Sequence, residues 1–204
     1  MGIRGTVHIV DGDPALGRAL ARVARSAGHD AHAHVSAEEF LSAFDPATTG
    51  CVVTDARMPG MSGLELQRAV KARDPATAVI MITGHAVASL AVAALKEGAS
   101  DFIEKPIDDT VFLAAIRDAL AATRRSAQRM EADEAILGRA LRLSAREREV
   151  MDLVVQGHSS PAIARALGIS VRTVESHRAR VMEKMSAASL PDLVRMTLRL
   201  KSED

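Results

Sequence analysis

The sequence has few of the residues that mark secreted or membrane proteins. Its 204 residues include a single cysteine, Cys51, and no tryptophan or tyrosine. A lone cysteine cannot form an internal disulfide, which favours a reducing, cytoplasmic setting with Cys51 as a small buried hydrophobe. No run of 18 apolar residues is present, so neither a membrane span nor a membrane partner is expected. The first residues also lack the charged and apolar regions of a signal peptide.

The formal net charge of zero conceals two parts of opposite sign. Residues 1–121 hold 11 basic and 15 acidic side chains, whereas residues 139–204 hold 12 basic and 8 acidic ones. Such asymmetry indicates a nucleic-acid partner for the basic part. A small charge surplus is also typical of an ordinary solvated surface, so charge alone does not decide between the two.

The first 121 residues alternate short apolar runs with helical patterns. Apolar, β-branched runs predict strands, and the segments between them predict helices. This alternation is typical of βαβ units and predicts an α/β domain with a doubly wound, parallel, five-stranded sheet. The predicted strands are Val7–Val10, Ala31–Val35, Cys51–Thr54, Val79–Thr83 and Asp101–Glu104, and the predicted helices are Pro14–Ala27, Ala37–Phe44, Gly63–Arg73, Val87–Glu97 and Asp109–Ala121.

Polar side chains stand where four of the predicted strands end: Asp11, Asp55, Thr83 and Lys105. In open α/β sheets the ligand site lies beyond the carboxyl ends of the strands. Carboxylates suit Mg²⁺, and an aspartate can act as a nucleophile that forms an aspartyl-phosphate. Each residue alone has an ordinary explanation as a turn, cap or solvated side chain. Their coincidence at one edge favours a phosphate-handling site.

The motifs HIVD, VVTDARMPGMSG, ITGHA and GASDFIEKP resemble the receiver domain of two-component response regulators along residues 6–121. The resemblance implies that a histidine kinase phosphorylates Asp55. It also implies that Asp11, Asp55 and the backbone carbonyl of Arg57 coordinate Mg²⁺.

The resemblance assigns three further residues. Thr83 and Lys105 would contact the phosphoryl group, and Phe102 would be the aromatic switch residue whose ring turns inward when the threonine hydroxyl moves. The alternative for Phe102 is an ordinary aromatic packed beside its strand.

The sequence departs from the family at Gly12. Most receivers end their first strand in two adjacent acidic residues, and here the pair is Asp11 and Gly12. Asp13 stands one place later and precedes Pro14, an arrangement typical of a helix N-cap. Capping is therefore the favoured role for Asp13, with metal ligation as the open alternative. The acidic pocket is expected to lack one carboxylate and to bind Mg²⁺ more weakly than usual.

Residues 122–143 are charged and contain no proline. They predict a helical linker that extends the preceding helix as far as Leu137, with Gly138 as a candidate stop.

Residues 144–204 predict a separate all-α domain. Ser144 and Glu147 have the spacing of a capping box at the start of a helix whose apolar face includes Val150 and Val154. A short helix, a turn at Gly168 and a longer basic helix then predict a helix-turn-helix. A final helix is expected at Leu190–Leu200.

The longer helix begins after Ser170 and is expected to turn Val174, Val181 and Met185 inward. The second helix of a helix-turn-helix lies in the major groove, where basic and polar side chains contact phosphates and bases. A solvated basic helix is the alternative. The candidate DNA contacts are Arg172, Thr173, Glu175, Ser176, His177, Arg178, Arg180 and Lys184.

LSAREREVM, IARALGISVRTVESHRARVMEKM and SLPDLV resemble the LuxR-type DNA-binding domain. The two parts together resemble the FixJ/NarL group of response regulators, and ITGH, FIEKP and RTVESHRARVMEKM are nearer FixJ. The resemblance implies a transcription regulator, not an enzyme, that binds double-stranded DNA. Phosphorylation would make it pair as a homodimer through a surface around Val87–Lys105. RNA polymerase is a further candidate partner.

Two alternatives stay open. With Gly12 in the pocket, the receiver could be a dimerisation module that is constitutive or has a trigger other than phosphorylation. The first domain could instead be a flavodoxin-like cofactor binder or a hydrolase that uses Asp55. The lack of a Gly/Ser-rich phosphate loop after the first strand disfavours this last reading.

Overall fold

The computed structural model describes residues 5–84 and 88–201, with only the backbone described at 88–90 and 201. The chain divides into two compact units, Met1–Ala127 and Gln128–Asp204. The division falls within the stretch 122–143 that the sequence predicts to be a linker. No helix in the described ranges is long and apolar enough to cross a membrane.

The first unit contains a parallel five-stranded sheet with the order β2-β1-β3-β4-β5. This confirms the predicted α/β class. The strands are β1 (Thr6–Val10), β2 (Ala31–His34), β3 (Thr49–Asp55), β4 (Ala78–Thr83) and β5 (Asp101–Glu104), and the helices are α1 (Pro14–Ser26), α2 (Ala37–Ala43), α3 (Gly63–Arg73), α4 (Ala88–Lys96) and α5 (Asp109–Ala140). The predicted start of the fourth helix, Val87, lies outside the described residues.

Alternate residues of the central strands supply two cores, one on each face of the sheet. Ile9 and its neighbours pack with Phe112 and Ile116 of α5 on one face. Val10 packs with Phe40 of α2 and Leu66 of α3 on the other. Because both faces are covered, the strands are continuous apolar runs rather than alternating ones.

The order of the strands reverses between β1 and β3. The chain passes from β1 to β2 on one side and then returns to place β3 on the other side. Such a switch point opens a crevice beyond the carboxyl ends of the two strands. Asp11 follows β1 directly, and Asp55 is the last residue of β3. The topology therefore places both aspartates at the same crevice.

Three histidines, His8 of β1 and His32 and His34 of β2, lie side by side on the sheet. Nδ1 of His8 is 2.9 Å from Nε2 of His34, and the His8 ring stacks on the rings of both neighbours. Burial, together with the neighbouring His34 and His32, lowers the pKa of His8 to about 4. His8 is therefore a neutral member of the core at neutral pH.

The second unit is helical, as the sequence predicts, with a core that includes Val150, Ile163, Val174, Met185 and Leu193. Ser144 and Glu147 form the predicted capping box. Its helices after α5 are α6 (Ala145–Val155), α7 (Ser160–Leu167), α8 (Val171–Met185) and α9 (Leu190–Lys201).

The turn between α7 and α8 contains Gly168, which has a φ of 64°. This left-handed conformation favours glycine and ends the short helix. Ser170 caps α8 by accepting a hydrogen bond from the Thr173 amide.

The sequence placed the candidate end of α5 at Gly138, and this was wrong, because the helix continues to Ala140. Gly138 is exposed and keeps helical geometry, which costs only about 1 kcal/mol relative to alanine. Ile136 and Leu143 are buried in the core of the second unit. Packing on both sides of the glycine therefore sets the end of the helix.

Candidate functional site

Lys105 bridges the two aspartates at the crevice of the sheet. Its ammonium nitrogen Nζ lies 2.6 Å from Oδ2 of Asp55 and 3.1 Å from Oδ2 of Asp11. The side chain of Asp11 is 3 % exposed and that of Asp55 is 14 % exposed. The site thus combines one deeply buried carboxylate with one that solvent or a ligand reaches.

The environment of Lys105 favours its charged form. Burial lowers the pKa of this side chain, but the hydrogen bonds to Asp55 and Asp11 and the charges of both carboxylates outweigh that effect. The pKa of Lys105 is therefore raised above its ordinary value. The ammonium supplies a permanent positive charge beside Asp55, which suits an anionic ligand.

The other oxygen of each aspartate organises the backbone of the loop that follows it. Oδ1 of Asp11 accepts a hydrogen bond from the amide of Asp13 at 2.8 Å. Oδ1 of Asp55 accepts one from the amide of Arg57 at 3.0 Å. These contacts fix both carboxylates at the crevice and place the Arg57 backbone beside Asp55.

Asp13 has the capping geometry that the sequence favours. Its Oδ1 accepts hydrogen bonds from the amides of Ala15 and Leu16, at 2.8 and 3.3 Å, and Pro14 begins α1. The Asp13 carboxylate therefore caps α1. The two carboxylates that bind Lys105 are those of Asp11 and Asp55.

Gly12 leaves space where the resemblance to receiver domains predicts a second acidic residue. A Cβ atom at this position would lie 3.2 Å from Cδ of Pro59, in the loop after β3. That contact is tight, but Gly12 and Pro59 are both exposed. The backbone therefore accepts a side chain after a small movement of the loop.

The donor set at the crevice fits Mg²⁺. This ion prefers oxygen ligands and commonly binds through one or two carboxylates, with waters and substrate phosphate completing its shell. Asp11 and Asp55 supply two carboxylates bonded to the same ammonium. Within the described residues no group of three or more His, Cys, Asp or Glu side chains forms a metal site. The site is therefore suited to an ion that relies on water and phosphate for its remaining ligands.

Thr83 and Phe102 belong to neighbouring strands next to this crevice. Thr83 is the buried last residue of β4, and its carbonyl accepts a hydrogen bond from the Lys105 amide at 2.8 Å. Phe102 of β5 is half-buried and packs beside Met81, Ala56 and Ala94. Phe102 thus belongs to a packed cluster that joins the sheet to α4.

The solvent-facing side of α8 carries the candidate nucleic-acid contacts. Val174, Val181 and Met185 are buried, as the sequence predicts. Arg172, Ser176 and Arg180 are exposed.

Two further candidate contacts, Thr173 and His177, differ from these exposed residues in their surroundings within the domain. The Thr173 hydroxyl lies 2.8 Å from that of the capping Ser170. His177 is half-buried, and its Nδ1 is buried without a hydrogen-bond partner among the described residues.

Lys184, the last candidate contact, is exposed but forms an ion pair with a buried carboxylate of the same domain. Its Nζ lies 2.6 Å from Oε2 of Glu147 and 3.3 Å from the carbonyl of Arg142. The hydrogen bond from Lys184, together with those from Ser144, lowers the pKa of Glu147 to about 2. The buried carboxylate needs a cation, and this requirement holds Lys184 at the end of α8.

Arg178 and Glu175 also have a partner that the spacing did not reveal. Nη1 of Arg178 donates to Oγ of Ser160 at 2.7 Å, and the same hydroxyl contacts Oε1 of Glu175. Ser160 is a site residue that the sequence pattern did not indicate. Its only local signal is a serine at the start of the first helix of the helix-turn-helix.

Comparison with protein families assigns both parts of the chain. Residues 7–117 match the response regulator receiver domain, and residues 141–197 match the bacterial regulatory proteins of the luxR family. The chain belongs to the FixJ-like response regulators. It is a transcription regulator with a receiver and a LuxR-type DNA-binding domain, and the family is not one of enzymes.

Curated relatives match this response regulator over nearly its whole length. FixJ of Azorhizobium caulinodans is 48 % identical, over 94 % of this chain and 91 % of that protein. FixJ of Rhizobium meliloti is 46 % identical, over 95 % of each. The C4-dicarboxylate transport regulator DctR of Rhodobacter capsulatus is 42 % identical, over 94 % and 98 %.

Solved structures of response regulators match nearly the whole chain. Response regulator StyR is 34 % identical, with a TM-score of 0.80 over 95 % of this chain and 98 % of that one. Full-length FixJ from B. japonicum is 39 % identical, with a TM-score of 0.58 over 98 % of each chain. The family assignment implies a histidine kinase and DNA as partners and disfavours the cofactor-binding and hydrolase alternatives.

Proposed function

We propose that this response regulator is phosphorylated on Asp55 and that phosphorylation promotes its pairing and its binding to specific DNA sequences. The observation that carries the proposal is the position of Asp55 at the open crevice, with Lys105 at 2.6 Å. The other carboxylate of the pair, Asp11, is nearly fully buried. Asp55 is thus the one that an incoming phosphoryl group reaches.

In the proposed reaction an oxygen of Asp55 attacks the phosphorus atom of a phosphohistidine on the partner kinase. The bond between phosphorus and the histidine nitrogen breaks, and the imidazole leaves with the electron pair of that bond. Lys105 and the Thr83 hydroxyl hold the oxygens of the transferred group. Asp11, Asp55 and the Arg57 carbonyl would hold Mg²⁺, which when bound neutralises phosphate charge.

We propose that activation then involves Phe102 and α4. The half-buried Phe102 packs against a cluster that includes Met81 of β4 and Ala94 of α4, so packed side chains connect the end of β4 to this helix. Val92 and Leu95 of α4 are 50 % and 51 % exposed. These apolar side chains favour the surface around residues 87–105 for pairing with a second copy, although Val87 itself lies outside the described residues.

Residues 122–143 act in this proposal as the linker between a receiver at 1–121 and a DNA-binding domain at 144–204. Arg172 and Arg180 are its leading phosphate contacts, with Thr173, Ser176 and His177 along the same helix. Two paired copies place two α8 helices on two half-sites. RNA polymerase is a candidate partner for such a complex, and the chain would act in the cytoplasm, where bacterial DNA lies.

Intact-mass measurement after incubation with Mg²⁺ and a small phosphodonor tests the first step. The wild-type chain is expected to gain one phosphoryl group, and Asp55→Asn none, because an amide does not attack phosphorus. A phosphoprotein that persists in the variant would contradict the site. A wild-type chain that gains nothing, yet pairs and binds DNA, would favour the alternative in which the receiver works without phosphate.

A further inference from the structure

The hydroxyl of Ser160 links two side chains of the neighbouring helix α8. Nη1 of Arg178 lies 2.7 Å from this oxygen, which also contacts Oε1 of Glu175. A guanidinium only donates hydrogen bonds and an ionised carboxylate only accepts them. The direction is therefore fixed: Arg178 donates to Ser160, and Ser160 donates to Glu175.

The position of Ser160 separates this role from helix capping. Ser160 is the first residue of α7 and is 7 % exposed. The N-cap residue is Ser159, which makes no side-chain cap hydrogen bond. Packing of α7 on α8 already has apolar support from the buried Ile163 and Val174. The hydroxyl of Ser160 instead fixes the orientation of polar side chains on α8.

Glu175 is the member of this group that faces outward. Its side chain is 58 % exposed, whereas that of Arg178 is 31 % exposed. Within the described ranges Oε2 of Glu175 has no hydrogen-bond partner. Nη1 of Arg178 stands 3.9 Å from Oε1 of Glu175 and offsets part of its negative charge. A carboxylate held and partly neutralised in this way approaches DNA with less repulsion from the phosphates.

We propose that Ser160 is a positioning residue for sequence readout, which holds Glu175 where its carboxylate accepts a hydrogen bond from N4 of a cytosine. A carboxylate is an acceptor only, and cytosine presents an amino donor in the major groove. Restricting the Glu175 side chain before binding reduces the entropy lost on contact. This inference rests on the proposed entry of α8 into the major groove.

The test is selection of binding sites by the intact chain from a random-sequence duplex library, with Mg²⁺ and phosphodonor present. The wild-type chain is expected to select at least one C·G pair that Glu175→Gln exchanges for A·T, since glutamine pairs with adenine. Ser160→Ala is expected to reduce the preference for that pair by about five- to tenfold, a share of the discrimination that one good base contact provides. Ser160→Thr retains the hydroxyl and is expected to restore the preference.

Two outcomes would overturn the proposal. The first is an unchanged base preference in Ser160→Ala. The second is an equal loss of affinity for every duplex, which would mark Ser160 as a structural tie between helices. The variants Arg172→Ala and Arg180→Ala test separately whether α8 contacts DNA at all. If neither weakens binding to random duplex, α8 does not face DNA and the readout role fails with it. If both variants weaken binding, α8 contacts DNA. An unchanged base preference in Ser160→Ala then overturns only the proposed role of Ser160 in readout.

Discussion

Lys105 and Asp55 are 50 residues apart in the sequence, yet the ammonium of the first lies 2.6 Å from a carboxylate oxygen of the second. The same ammonium lies 3.1 Å from Asp11. Lys105 thereby neutralises part of the charge that the two aspartates bring together. It also occupies the region from which those carboxylates would engage Mg²⁺.

Replacing Lys105 with glutamine is expected to tighten Mg²⁺ binding and slow phosphorylation. The variant removes a cation that competes with the metal for Asp11 and Asp55, so affinity is expected to rise by about three- to tenfold, since a factor of ten corresponds to only about 1.4 kcal/mol. It also removes the group that we propose to hold the phosphoryl oxygens. Calorimetric titration measures the first effect and intact mass against time the second. Weaker Mg²⁺ binding by the variant would show that Lys105 does not compete with the metal.

Gly12→Asp is expected to restore the missing charge of the acidic pocket. The added carboxylate is expected to raise Mg²⁺ affinity by about tenfold, after desolvation offsets most of its Coulomb attraction. Phosphorylation is expected to accelerate, and metal-free stability is expected to fall because a third carboxylate joins Asp11 and Asp55. The 3.2 Å approach to Pro59 limits the gain if the loop cannot move.

Asp13→Ala is the matched control for that titration. Because Asp13 caps α1, the variant is expected to lose about 1 kcal/mol of stability and to keep its Mg²⁺ affinity. If Asp13→Ala loses the metal while Gly12→Asp binds no tighter, Asp13 is the ligand that replaces the absent acid.

Arg180 and Lys184 are expected to respond differently to salt although both lie on α8. Arg180→Ala is expected to weaken binding to all DNA sequences and to reduce the slope of log affinity against log salt by about one unit. Lys184→Met is expected to leave that slope unchanged and to destabilise the domain by about 1–3 kcal/mol, because it removes the partner of the buried Glu147. A reduced slope for Lys184→Met would show that this lysine contacts DNA.

Arg178→Ala is expected to change the slope less than Arg180→Ala because its guanidinium is bound to Ser160.

The buried His8 is expected to make the receiver less stable in mild acid. Its pKa is lowered to about 4 in the folded chain, against about 6.5 for the unfolded one. Above pH 6.5 both states are neutral at this residue; as pH falls from 6.5 towards 4 only the unfolded state gains the proton. The free energy of unfolding is therefore expected to fall across this window, by at most about 3.4 kcal/mol.

Hydrogen exchange of the β1 and β3 amides in the intact chain measures this effect, after correction for the pH dependence of intrinsic exchange. His8→Val is the control, because valine suits a buried strand and does not titrate. Its stability is expected to change less between pH 7 and pH 5 than that of the wild type. Equal pH dependence in the two proteins would assign the acid sensitivity to other groups.

The sequence by itself determined which segments form strands and helices and what stands at the end of each strand. Helix Gly63–Arg73 and strand Asp101–Glu104 have the predicted bounds. These features depend on local signals: apolar runs, a serine or aspartate before a helix, and glycine at Gly168. Parallel strands share one carboxyl edge, so the grouping of Asp11, Asp55, Thr83 and Lys105 was also predictable from order alone.

Only the tertiary structure decided which partners the long polar side chains bind on other helices and strands. Lys105 reaches across 94 residues to Asp11, Lys184 across 37 to Glu147, and Arg178 across 18 to Ser160. Lysine and arginine have long, rotatable side chains, so their position in a helix or strand does not specify their partner. A buried carboxylate or hydroxyl requires a partner, and packing alone determines which side chain is near enough to supply it.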